Sequence, residues 1–169
     1  MRKYVIAIAF AIAFILDSMV FNSIKIFGIS PDTTMAVVVS LAILISAPIP
    51  TAIGIGMGIF IDILFNTCLG LNSICMLLGA LAGGLFYNKY YADNPIVPAV
   101  TAAFAVFVKE HIMLFASLLM GRNLSSYLML LVSHILPSLL ITGGLCALAH
   151  LALKATLFKP LWHRDVDDR

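Results

Sequence analysis

The chain has 169 residues, of which 62% are hydrophobic and only 11% charged, with a formal net charge of +2 and a mean hydropathy of +1.09. That usage excludes an ordinary soluble domain, and a small net charge without a basic run gives no reason to expect a nucleic-acid partner. Apolar runs that are continuous rather than alternating favour helices over an outer-membrane barrel. The expectation is an integral, helical membrane protein, because apolar windows of roughly 17 to 25 residues match a hydrocarbon core about 30 Å thick.

The first apolar run, about Tyr4 to Phe21, follows Met1-Arg2-Lys3 and is too long for a signal core, so it is read as a retained helix. Alanines at 7, 9, 11 and 13 give it two overlapping small-x-x-x-small pairs, and Asp17 lies near its far end. A connector over 22–30 leads to Pro31-Asp32, where Asp32 or Ser30 can cap the next helix. That second helix, about Thr33 to Ala47, ends at Pro48 and Pro50. The third, about Thr51 to Phe65, carries Gly54, Gly58, Asp62 and Asn66 every fourth residue, a small and polar stripe expected to face protein. After a short turn ending at Gly70 comes a fourth helix, about Leu71 to Tyr87, with Asn72, Gly79 and Gly83 on one face.

Residues 88–98 form a polar break with two tyrosines and two prolines, suited to a membrane interface. A fifth helix, about Ile96 to Met120, holds Lys109-Glu110-His111, and a turn over 121–126 leads to a last apolar run from about Tyr127 to Leu153. That run exceeds the bilayer, so a tilt or a break at Pro137 or Gly143-Gly144 is expected. The fold class is thus all-α: a polytopic membrane protein with about six transmembrane helices in one compact bundle over residues 1–158, followed by a short cytoplasmic tail over 159–169. Lys and Arg concentrate in the segments that are cytoplasmic when both termini are inside.

The candidate polar cluster is Asp17, Asp62, Lys109, Glu110, His111 and His134, since ionised groups at the bilayer centre cost on the order of 3 kcal/mol and must find partners. Lys109 is expected to pair with Asp62 or Asp17, as a structural ion pair rather than a transport path. Lys109 and Glu110 lie about 100° apart on a helix, so one of them should meet a cavity or another subunit. Gly54-x-x-x-Gly58 and Gly79-x-x-x-Gly83 read as internal packing. No H-E-x-x-H, nucleophile elbow or dinucleotide fingerprint is present, and the odd set Cys68, Cys75 and Cys146 makes no disulfide framework. The residues give no catalytic site, cofactor or metal site.

The ordered set Pro31-Asp32, Gly54, Gly58, Asp62, then Leu69-Gly70 and L-G-L-N-S at the next helix, resembles the rod shape-determining protein MreD family, the likeness concentrating between residues 31 and 87. The resemblance implies a non-enzymatic component of the bacterial cell-elongation machinery in the inner membrane, lying in the lipid bilayer. It would partner MreC, act with RodA and its transpeptidase in peptidoglycan synthesis, and connect indirectly to MreB. Pro31, Asp32, Gly54, Gly58, Asp62 and Gly70 would form its structural or partner motif. A second likeness is to the substrate-binding S components of energy-coupling-factor vitamin transporters, which have six helices and an A-x-x-x-A pattern on the first, as in Ala7 and Ala11 or Ala9 and Ala13. A small proton-coupled carrier is a third reading, but no repeat symmetry supports it.

Overall fold

A computed structural model describes residues 2–21, 31–45, 48–65, 70–87, 94–119, 121 and 134–158. Among them regular structure is entirely helical, in the elements α1 (Arg2–Ile15), α2 (Thr33–Leu44), α3 (Pro48–Phe65), α4 (Leu71–Leu85), α5 (Ile96–Leu119) and α6 (Leu136–Phe158). The connector expected over 22–30, most of the turns expected over 66–70 and 121–126, the first part of the polar break over 88–98, the start of the last apolar run over 127–133, and the tail 159–169 lie outside the described residues.

The organising element is α2. Its sequence, TTMAVVVSLAIL, has no polar face, and every one of its residues is buried. A helix that is apolar all round belongs inside a bundle, and α2 packs against α1, α3, α4, α5 and α6. With 12 residues it is about 18 Å long, shorter than the membrane-crossing run expected from Thr33 to Ala47. The chain leaves the helix at Ile45, whose backbone is extended.

Other boundaries also differ from expectation, for local reasons. Helix α3 starts at Pro48 rather than Thr51, because prolines fit a first turn whose N–H groups have no intrahelical acceptor. The regular helix α1 ends at Ile15 and continues as a wider π-helical segment over Leu16–Phe21. Helix α6 runs unbroken through Gly143-Gly144 to Phe158, so of the expected alternatives a break at the glycines does not occur, and the regular helix instead begins at Leu136, beside Pro137. Gly143 lies against the Ala99 carbonyl, 3.2 Å from where a Cβ would sit, and its missing side chain serves close packing on α5.

The distribution of polarity is inverted relative to a water-soluble domain. Large apolar side chains point outward on α1 (Ile8, Ile12), α3 (Ile59, Phe60, Ile63), α4 (Ile74, Leu78, Leu81), α5 (Val100, Phe104, Phe115) and α6 (Leu140, Leu148). Meanwhile Thr34, Ser40, Asp62, Asn72, Ser138, Thr142 and His150 are buried. Two helices, spanning Ile96–Leu119 and Leu136–Thr156, are long and apolar enough to cross a membrane, and the other four are shorter.

Candidate functional site

The amino end of α2 is where the polar side chains converge. Asp32 is the N-cap: its Oδ1 accepts the Met35 N–H at 2.9 Å, as the Pro31-Asp32 pair predicts. Its second oxygen, Oδ2, accepts the Lys109 ammonium from α5 in an ion pair. Lys109 therefore pairs with Asp32, and not with Asp62 or Asp17 as its depth along α5 had suggested. The difference is physical. Because α2 is wholly enclosed, its cap carboxylate is largely enclosed too, only 12% exposed, and the oxygen left over from capping needs a cation.

Asp17, in the π-helical segment after α1, supplies the next contact. Its Oδ1 and Oδ2 accept the Thr33 and Thr34 N–H groups at 2.8 Å each, and Oδ2 also accepts the Thr34 hydroxyl at 2.5 Å. These are free donors of the first turn, at the positive end of the helix dipole, so the carboxylate is held by the helix terminus itself. From α6, the Thr142 hydroxyl accepts the Asp32 N–H at 3.1 Å. One helix end thus ties together α1, α5 and α6.

Helices α2 and α6 continue this seam in parallel. One turn along, the Cys146 thiol donates to the Ala36 carbonyl at 3.4 Å, and also to the Pro98 carbonyl of α5 at 3.3 Å. A further turn along, Ser40 Oγ lies 3.2 Å from His150 Nδ1, with both residues fully buried. These contacts were missed by sequence reasoning, although a signal exists. Ser138, Thr142, Cys146 and His150 recur every fourth residue along α6, extending the spacing from His134 just before it, the same spacing that marks the α3 stripe, and their scattered chemistry hides it.

Asp62 does a different job. It is fully buried on α3 and caps α4, its oxygens accepting the Gly70 N–H at 2.8 Å and the Asn72 N–H at 3.3 Å. Gly70 takes φ of 99°, a left-handed conformation that glycine adopts without steric cost. Gly58 lies one turn before Asp62, and a Cβ there would sit 2.5 Å from the Ser73 Cα. The stripe Gly54, Gly58, Asp62 is thus the contact face of α3, with Gly54 meeting Val38 of α2. Gly79 and Gly83 of α4 face Met35 and Val39 of α2. Replacing Asp62 with alanine removes the acceptor from two N–H groups and is expected to cost about 2 kcal/mol. Thermal unfolding in detergent, compared with Asp62→Asn as the milder change, measures it.

The remaining cluster members lie further along the same end. Glu110 is within Coulombic reach of Lys109, His134 and Asp32, but no hydrogen bond or ion pair joins it to any described residue. His111 donates from Nδ1 to the Phe107 carbonyl at 2.8 Å and packs its ring on that phenyl group, centroids 4.1 Å apart. His134 stands just before α6. The structure thus brings Asp17, Asp32 and Lys109 together, sets Glu110 and His134 beside them, and separates Asp62 as a cap. Among the described residues no group of His, Cys, Asp and Glu side chains is arranged to hold a metal ion. Compared with known proteins, the chain matches no family model, no curated protein and no solved structure.

Proposed function

We propose that this chain is a non-enzymatic, multi-pass component of the bacterial cell-elongation machinery in the inner membrane, acting as a helical partner of MreC in support of peptidoglycan synthesis. The observation that carries the membrane part is the inverted polarity: isoleucine, leucine and phenylalanine outside, with carboxylates, hydroxyls and a histidine inside. In water that exterior would aggregate, whereas in lipid it needs no cover. All six helices are taken to cross, with both termini cytoplasmic by the lysine and arginine distribution. The shortness of α2 is no obstacle, because it is sheathed by its neighbours and never meets lipid.

The role of a partner, rather than an enzyme, is supported by what the polar groups do. Asp32 and Asp62 cap helices, Asp17 binds a helix terminus and Lys109 neutralises Asp32. Each holds the bundle together. The Pro31-Asp32 and Gly54, Gly58, Asp62, Gly70 pattern that resembles MreD coincides with these contacts, so the motif describes a scaffold. Gly54 and Gly58 face inward, which leaves Ala52 and Gly56 as the outward small positions of α3, with nothing within 4 Å of a Cβ at Gly56. We place the MreC helix there, since small residues admit close backbone approach. Depleting the protein from rod-shaped cells is expected to make them round. Unchanged rods with unchanged wall synthesis would contradict the reading.

One observation favours a second reading, an energy-coupling-factor S component. Ala7 and Ala11 are exposed together on α1, as a docking face for a coupling subunit requires. Co-purification with such a subunit, and retention of a vitamin through purification, would select that reading over the first.

A further inference from the structure

We draw no further inference here: the strongest candidate, the outward face of α1 and α3 where Ala7, Ala11, Ala52 and Gly56 are exposed beside the Phe14–Phe60 ring contact, belongs in part to the surface already proposed for MreC, and nothing in the structure shows what covers the rest of it.

Discussion

Lys109→Met is expected to destabilise the protein by about 3 kcal/mol, because it strands a largely buried carboxylate. Asp32 keeps its capping bond to Met35 through Oδ1, but Oδ2 is left without the ammonium that it accepts. The charge then sits at the end of a helix whose every residue is buried, on a side chain only 12% exposed. Asp32→Asn removes the charge while preserving a good capping side chain, so alone it strands the lysine, and combined with Lys109→Met it strands nothing. The double variant should therefore be more stable than Lys109→Met by about 2 kcal/mol or more. Asp62→Asn should give no such rescue. Thermal unfolding of the four proteins in one detergent measures the coupling, and simple additivity of Lys109→Met and Asp32→Asn would remove the ion pair from the account.

Gly58→Val is expected to be equally damaging by another route. The first added carbon would lie 2.5 Å from the Ser73 Cα and 2.7 Å from its nitrogen. Those are backbone atoms of α4 and cannot turn aside, so α3 and α4 must separate. Separation also withdraws Asp62 from Gly70 and Asn72, adding loss of the cap to overpacking, for a total of about 3 kcal/mol or more. Gly56 is the control on the same helix. A Cβ there meets nothing within 4 Å, so Gly56→Ala should be neutral or stabilising by up to about 1 kcal/mol. Monodispersity and melting temperature after purification distinguish the two outcomes.

How far the sequence alone reached can be judged from particular residues. The Asp32 cap was legible because Pro-Asp before an apolar run has a local mechanism, and the Gly54, Gly58, Asp62 stripe was legible because four-residue spacing places side chains on one face. The partner of Lys109 was not. Depth along a helix restricts which residues can meet, but it does not say which helices are neighbours, and that depends on α2 lying at the centre. Even this had a trace in the sequence, since α2 lacks a polar face, but continuous apolarity suits a lipid-facing helix as well as an enclosed one. Asp17 was recognised as needing a partner, but its partner is a pair of backbone N–H groups across a connector, and no pattern of side chains reports those. The α6 stripe was the one periodic signal left unread.

The proposed role of the chain as a membrane partner is tested most directly by isolating it, affinity-tagged, from membranes of cells that also produce MreC. The account predicts that MreC is recovered with the wild-type chain and is lost with Ala52→Leu/Gly56→Leu, provided that variant retains the wild-type melting temperature. Failure to recover MreC with the folded wild-type chain would contradict the account.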